Sequence, residues 1–566
     1  MKRRVHATGG VIAAVLALAM GAIPGVARMQ DPMTARRWFF LHTQLVAPGG
    51  VDNACAVLNK AADLGYNGAV LTEGSLGVGG EPTAVDRERF GKLLDVAQRR
   101  GIEIVPSVMA PATILRQNPD LVEPLPVRDA LFRVQGDLAV LAPDPAAKLV
   151  NGGFEQGDGG GPAGWSVQPP AAPALSLDPT GGRSGAQAIR IDGEDGAPVT
   201  VSLAQRVAVQ PFRQYLLSVW ARTANCPTPS ALQGWIVGDG NQPLSYPRWT
   251  LARDGDWTCY RAVFNSLGNA QAQVRITTTR FAGALWLDDA DLSEIGLLNM
   301  VRRDGCPLIV RGDDGTVYSE GQDFQPVRDP LMGRTPYAGV YSSYHSIPDG
   351  IRLTPGSRIQ AGAALRVSYY ACPVIYGRRV TQCLSHPDID AIMRREIRRV
   401  RDLLHPKTVL ISHDEMRVAG WCALCAGSGK SSGQLLADNI ARCIQIIKDE
   451  APEAAVAVWS DMFDPNHNAR NPYYFARGGM AQSWNGLPSQ ALVLNWNWAN
   501  RSKSLEWFSS RGNPQIIAGY YDRPVAQIRD WLQDARGIGG VEGVMYTTWK
   551  RDYGNMDAFA RAAWAR

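Results

Sequence analysis

"TVLISHDEM", residues 408–416, runs four mostly apolar residues into Ser412, His413 and two adjacent acids, Asp414 and Glu415. The stretch Thr408–Ile411 reads as a buried strand. Adjacent carboxylates repel and are costly to desolvate, so a chain that only needed a turn here had cheaper choices. The same dipeptide, Asp449-Glu450 in "IIKDEAPEA", sits at a solvated helix end. The dipeptide therefore carries no signal by itself, and its setting decides what it means.

That setting is an alternation of strand and helix patterns at both ends of the chain. "RWFFLH" (37–42), "GAVLTE" (68–73) and "IEIVPSV" (102–108) read as strands. The helical run "DRERFGKLLDVAQRRG" precedes the last of them, with Phe90, Leu93, Leu94 and Ala97 at helical spacing. The rhythm resumes with the helix "DIDAIMRREIRRVRDLL", which leads into "TVLISHDE". "AAVAVWSDMF", "ALVLNWNW" (491–498), "QIIAGYYD" (515–522) and "GVMYTTWK" (543–550) complete a set of eight. Short apolar strands alternating with helices predict an α/β chain, a (β/α)₈ TIM barrel interrupted after its third strand. The interruption is rich in Gly, Pro and short alternating strands, as in "AQAIRI", "QYLLSVWART" and "AQVRITTT", which predict nested β-sandwich domains. The expected parts are barrel at 34–115 and 386–566, a small β domain split between 125–148 and 296–385, and a jelly roll at 149–295 nested inside it.

Length and composition agree with several globular domains. The chain has 566 residues, 45% hydrophobic and 20% charged, where ~100–200 residues per domain is usual. A formal charge of +5 with no basic run does not point to nucleic acid. The start, "MKRRVHATGGVIAAVLALAMGAIPGVARMQ", has a basic head, an apolar stretch from Val11 to Ile23 and small residues before Ala27. This predicts a signal peptide, 1–27, cut near Ala27, and a secreted or periplasmic protein; an uncleaved anchor is the rival reading. No later stretch predicts a membrane span. Nine cysteines in an exported chain permit disulfides. Cys422 and Cys425 invite a zinc reading, but only His413 and Cys443 stand near them in sequence, so a loop-bracing disulfide or two plain thiols is expected and no metal or cofactor.

In this fold chemistry sits at the carboxyl ends of the strands. Alternation sends Val409 and Ile411 outward against the helices and Leu410, Ser412 and Asp414 inward, with Glu415 just past the ladder. The later strand ends carry Trp459 and Asp461, Trp496, Tyr521 with Asp522, and Tyr546 with Trp549. Flat apolar faces edged by hydrogen-bonding groups suit a sugar ring, so the expected partner is a glycan or glycoconjugate.

Two resemblances sharpen this. The segment opening "NGGFEQGDGGGPAGWSV" (151–167) and closing "GALWLDDADLSEI" (283–295) resembles jelly-roll carbohydrate-binding modules. The Asp-Glu pair closing the fourth strand, with tryptophans and a tyrosine at later strand ends, resembles the family 20 glycoside hydrolases and their clan relatives. The fuller His-x-Gly-Gly-Asp-Glu signature of that family is Ile-Ser-His-Asp-Glu here, and Arg551 stands where an acid follows the last-strand tryptophan. The resemblance implies a retaining exo-β-N-acetylhexosaminidase in which the substrate's acetamido oxygen attacks the anomeric carbon, the substrate-assisted exception among retaining enzymes. It implies that Asp414 orients the acetamide and stabilises an oxazolinium, and that Glu415 protonates the leaving oxygen and then deprotonates water. Trp459, Trp496 and Trp549 would wall the acetamide pocket, Tyr521 or Tyr546 would bond its carbonyl, and His42 and Glu73 would meet hydroxyls. Two alternatives stand beside it: a two-carboxylate glycosidase using Asp461 or Asp522 as nucleophile or base, and a glycan-binding protein without catalysis.

Overall fold

The computed structural model describes residues 32–77, 80–170, 172–194, 197–226, 231–329, 331–332, 349–372 and 380–564. The expected signal peptide lies outside them, as do stretches of the second part of the small β domain. Eight parallel strands close a barrel: Arg36–His42, Gly68–Thr72, Glu103–Val108, Thr408–Ile411, Ala455–Trp459, Leu492–Asn495, Gln515–Ile517 and Val541–Tyr546. Closure is by Trp38 opposite Met545.

The period of two in each strand separates the barrel's interior from its helix-facing layer. Trp38, Phe40, Val70, Val105, Leu410, Ala457, Leu492, Leu494, Ile516 and Met545 pack together inside. Phe39, Leu41, Ala69, Leu71, Val409, Ile411, Val458 and Val493 face the helices. The barrel floor admits the Trp38 indole because Gly68 lies opposite; a Cβ there would stand 2.3 Å from the ring. Helices Ala84–Arg99 and Ser432–Glu450 both begin with capping boxes, on Thr83 with Asp86 and on Ser431 with Gln434, which satisfy otherwise orphaned N–H groups. Helix Pro387–Leu404 buries Ile389, Met393, Ile397, Val400 and Leu404 on one stripe.

One expectation of the repeat fails. Between the fifth and sixth strands there is no α-helix, only the 3₁₀ turns Asp461–Phe463 and Ser483–Gly486 and the two-residue strand Phe475–Ala476. The connecting sequence, "DPNHNARNPYYFARGGMAQSWNGLPS", is broken by Pro, Gly and Asn, which favour turns over helix.

After the third strand the chain enters three further sheets. Two pack face to face: a five-stranded sheet ordered Gly255–Asn265, Gln214–Ala224, Gly283–Ile295, Ala188–Gly193, Leu175–Asp178, and a six-stranded one built around Ala231–Val237, Gln271–Thr278 and Ser202–Ala208. Ile189, Ile191, Val219 and Leu287 from the first interleave with Leu203, Leu232 and Ile276 from the second. The remaining sheet draws strands from both flanks of this sandwich, Leu125–Gln135 pairing antiparallel with Ala364–Ala371. The sandwich is seated on the barrel: Val207, Tyr215 and Leu244 share a core with Val418 and Phe475 from loops above the fourth and fifth strands. Among the described residues no helix is long and apolar enough to cross a membrane.

A buried acid gives the fold a pH signature. Glu396, 6% exposed on helix Pro387–Leu404, accepts the Met109 N–H at 3.1 Å. Burial pushes its carboxyl from 4.5 to about 7. The native state then holds this proton between about 4.5 and 7 while the unfolded chain releases it, so stability must fall as pH rises through that window. Relative to Glu396→Gln, which keeps an acceptor and never ionises, the wild type should lose on the order of 3 kcal/mol across the window and no more above it. Chemical denaturation of both proteins at closely spaced pH values checks this; parallel curves would remove Glu396 as the source.

Candidate functional site

The site begins with the backbone at Glu415. Its φ of 49° lies in the left-handed region, which is uncommon for a residue with a side chain and needs support from its surroundings. The support is Asp461, whose Oδ2 accepts the Glu415 N–H at 2.8 Å and the Asn468 side-chain amide at 2.8 Å. Asp461 has no exposed surface. Burial first, and then the nearby Asp414 carboxylate, push its pKa upward. The kink it holds turns the Glu415 side chain over the barrel mouth, beside Asp414, whose Oδ1 accepts from Ser412 Oγ at 3.3 Å.

Arg417 completes the charge arrangement. Its Nη2 donates to Glu415 Oε1 at 2.8 Å, and its Nη1 donates to the hydroxyl of Tyr246 at 2.6 Å. Tyr246 belongs to the sandwich, so the inserted domain reaches the acid pair through one guanidinium. The same guanidinium lies 4.9 Å above the Tyr474 ring. Glu415 is thus paired with a cation, while Asp461 is buried against its backbone.

Two lobes of a cleft meet at the acids. The first, about 370 Å³, is lined by Asp414, Glu415, Trp459, Trp496, Tyr521, Thr547 and Trp549. The second, about 920 Å³, shares Asp414, Glu415, Trp459 and Trp549 and extends past Phe40, Glu73, Ser107 and Thr381. Trp496 and Tyr521 are stacked, 5.8 Å apart and 11° from parallel, and Trp549 lies 6.3 Å from Trp459 and 6.1 Å from Tyr521. Behind Trp496 stands His467, edge-on at 4.4 Å, whose imidazole burial drives down to about 4 and so keeps neutral at neutral pH. Trp549 and Tyr521 are each 40% exposed, large aromatic faces left in water at a cleft.

The residues singled out in the sequence divide accordingly. Asp414, Glu415, Trp459, Trp496, Tyr521 and Trp549 converge on the cleft. Glu73 lines its second lobe, but its carboxylate already accepts the backbone N–H groups of Leu45 and Ser75 at 2.6 and 3.1 Å. Tyr546 is fully buried, its hydroxyl donating to the Asp552 carbonyl at 2.7 Å, because the strand alternation turns it toward the helix layer. His42 has its Nε2 3.3 Å from Arg551, and burial lowers its pKa. Asp461 lies beneath the acids, and Asp522 accepts the N–H groups of Trp549 and Lys550 at 2.7 and 3.1 Å, bracing that loop. Arg417, Thr547 and Tyr246 escaped the sequence reading. Arg417 stands two residues past the acid pair, a spacing that could have flagged it; nothing in the sequence ties Tyr246 to residue 417.

No protein-family model matches the chain, and no curated protein does. Among solved structures, a β-N-acetylhexosaminidase aligns at 15% identity and a TM-score of 0.27, over 34% of this chain and 46% of its own, so the chain spans less than half of that protein's length. The carbohydrate-binding module TmCBM61, solved with β-1,4-galactotriose, aligns at 15% identity and a TM-score of 0.22, over 26% of this chain and 97% of its own. The CBM22-1 xylan-binding domain of Paenibacillus barcinonensis Xyn10C aligns at 14% and 0.21, over 27% and 96%. Scores this low carry no functional inference, which must come from the cleft.

The support of Glu415 by Asp461 is open to a direct test. Asp461→Asn keeps an oxygen for the Glu415 N–H, whereas Asp461→Ala leaves that donor unpaired. The alanine variant should be about 1–3 kcal/mol less stable than the asparagine variant, as expected for an orphaned buried donor. Equal stabilities in urea denaturation would assign the hydrogen bond no role.

Proposed function

We propose that this protein is a glycoside hydrolase that removes a terminal β-linked N-acetylhexosamine, with the sugar's own acetamide as nucleophile. The observation that carries the reading is the placement of Asp414 and Glu415 at the junction of an aromatic lobe and a polar lobe. A sugar whose apolar face lies on Trp549, with its acetamido group toward Trp459, Trp496 and Tyr521, brings its anomeric carbon to the two acids. Asp414 then receives the acetamide N–H and opposes the positive charge of the oxazolinium. Glu415 donates its proton to the departing oxygen and takes one back from water in the second step. Tyr521, at the cleft surface, is the tyrosine placed to bond the acetamide oxygen; Tyr546 is spent on Asp552.

The two-carboxylate alternative needs an accessible second carboxylate. Asp461 is sealed from the cleft and committed to the Glu415 backbone, and Asp522 is committed to the Trp549 loop. Both facts favour the substrate as nucleophile. A pure binding protein has no need of two adjacent acids beside a third, buried carboxyl, an arrangement that costs stability.

Glu415→Gln should lower turnover of a substrate with a poor leaving group by roughly 10²–10⁴-fold, the usual worth of general acid–base help. Asp414→Asn should weaken inhibition by a thiazoline mimic of the cyclised intermediate and lower turnover by an amount typical of electrostatic stabilisers, ~3 kcal/mol. Hydrolysis assays on nitrophenyl β-glycosides of both N-acetylated amino sugars and of their non-acetylated parents read these effects. A 2-fluoro sugar that labels Asp461 or Asp522, with no inhibition by the thiazoline, would replace the acetamide mechanism with a covalent one.

A further inference from the structure

Away from the cleft, four buried side chains point at one spot. They are Glu123, Cys383, Cys422 and Cys425, with one ligand atom of each within 4.8 Å of all the others. The sulfur of Cys383 lies 3.6 Å from the sulfurs of both Cys422 and Cys425. Glu123 Oε2 lies 3.8 Å from Cys425 Sγ. We propose that these four residues form a structural zinc site, which pins the loop after the acid pair to the two points where the inserted domains leave and rejoin the barrel.

The spacing is the first argument. A tetrahedral ion with Zn–S bonds of about 2.3 Å sets its sulfurs about 3.8 Å apart, and a Zn–O bond of about 2.1 Å puts oxygen about 3.6 Å from sulfur. The distances here match both. A disulfide could join only two of the three thiols and would leave the third beside a carboxylate. An iron–sulfur cluster puts at most two cysteines on one iron, so three sulfurs gathered around one point do not fit it. Thiolates in tetrahedral array select zinc among the common divalent ions.

The surroundings are the second argument. Glu123 Oε1 accepts the backbone N–H groups of Trp421 and Cys422 at 2.6 and 3.0 Å, which turns Oε2 toward the sulfurs. The Ser385 N–H points at Cys383 Sγ from 3.5 Å, and Ser385 Oγ lies 3.3 Å from Cys425 Sγ, where its hydroxyl can donate to a thiolate. Such hydrogen bonds hold and tune ligands. Three thiolates and a carboxylate around Zn²⁺ leave a net charge of 2−, which a buried site must offset. Arg303, 6% exposed at its side chain, stands 3.9 Å from Glu123 Oε2 and is anchored on the carbonyls of Asp120 and Val122.

The sequence positions give the site its purpose. Glu123 lies just after the chain leaves the barrel and Cys383 just before it returns through helix Pro387–Leu404. The two segments are already linked, Glu123 N–H to the Thr381 carbonyl and Cys383 N–H to that of Leu121, each at 2.7 Å. Cys422 and Cys425 add the loop that begins with Asp414, Glu415 and Arg417. One ion would tie all three, a substitute for the continuity that the insertion interrupts. His413 and Cys443, the candidates nearest in sequence, are elsewhere: Cys443 contacts Met393 and Asn439.

The test is the metal content of the full-length protein, purified under reducing conditions and dialysed against metal-free buffer. Elemental analysis should find one zinc per chain. A chelator at mildly acid pH should remove it and lower the melting temperature, and added zinc should restore both. Cobalt in its place should give the visible absorption of a tetrahedral thiolate site. Cys422→Ser should lose the metal, while Cys55→Ser, at a half-exposed thiol outside the cluster, should keep it. If Cys422→Ser fails to fold, the wild-type stoichiometry and cobalt spectrum still decide. A reduced wild-type chain that binds neither zinc nor cobalt stoichiometrically overturns the proposal, as does a metal-free native protein whose peptide map shows Cys422 disulfide-bonded.

Discussion

The hydrogen bond from the Glu415 N–H to the sealed carboxylate of Asp461 fixes how the chain turns at the mouth of the barrel. A barrel strand ends by handing its chain to a loop, and a loop has no intrinsic reason to hold one side chain over the mouth. Here the backbone at Glu415 adopts a conformation that a side-chain-bearing residue avoids, and the strand next door supplies the acceptor that makes it persist. The acceptor is itself an acid, so the restraint brings a third carboxyl beneath the pair, one that burial pushes toward its neutral form. Geometry and electrostatics of the site are therefore one feature.

That coupling explains why the pair could be found from sequence while its control could not. The alternation in "TVLISHDEM" places Leu410 inside and Val409 and Ile411 outside by period alone, and the core clusters follow that assignment. The aromatics at Trp459, Trp496, Tyr521 and Trp549 were legible for the same reason: each ends or follows a short apolar strand, and strand ends in a barrel share one rim. Tyr546 was not, because a residue at the last position of a strand still obeys the alternation, which turns it to the helices. Asp461 looked like a site residue by position and is one by influence, but it acts from below. Arg417 binding to Tyr246 depends on a contact between residues 171 apart in the chain, a distance no local pattern spans.

The cysteines show the same limit. Sequence proximity offered Cys422 and Cys425 only His413 and Cys443 and so argued for a disulfide or plain thiols, yet their buried neighbours are Glu123 and Cys383, separated from each other by the whole insertion. An inserted domain brings its two stems together by construction, since both must leave and enter one barrel. Residues on the stems thus become neighbours however long the insertion is. Reading a metal site from spacing works when the ligands lie on one hairpin and fails when they lie on the stems of a domain.

The insertion also has a consequence for the acids themselves. Asp414 and Glu415 stand beside a third, buried carboxyl, Asp461, and a proton retained on one of the three relieves the crowding of negative charge. Burial favours Asp461 as the carboxyl that stays neutral, since it alone is cut off from water. Arg417 is positioned by Tyr246, whose ring lies 6.0 Å from Tyr474 of the loop after the fifth strand. Displacing the sandwich would take Tyr246 from Arg417 and leave the guanidinium to choose between Glu415 and water. The cation paired with Glu415 is thus held partly by a domain outside the barrel. An inserted sandwich that supplied only glycan affinity could sit anywhere on the rim; one that also orients Arg417 must sit where it does, with Val207, Tyr215 and Leu244 packed on Val418 and Phe475.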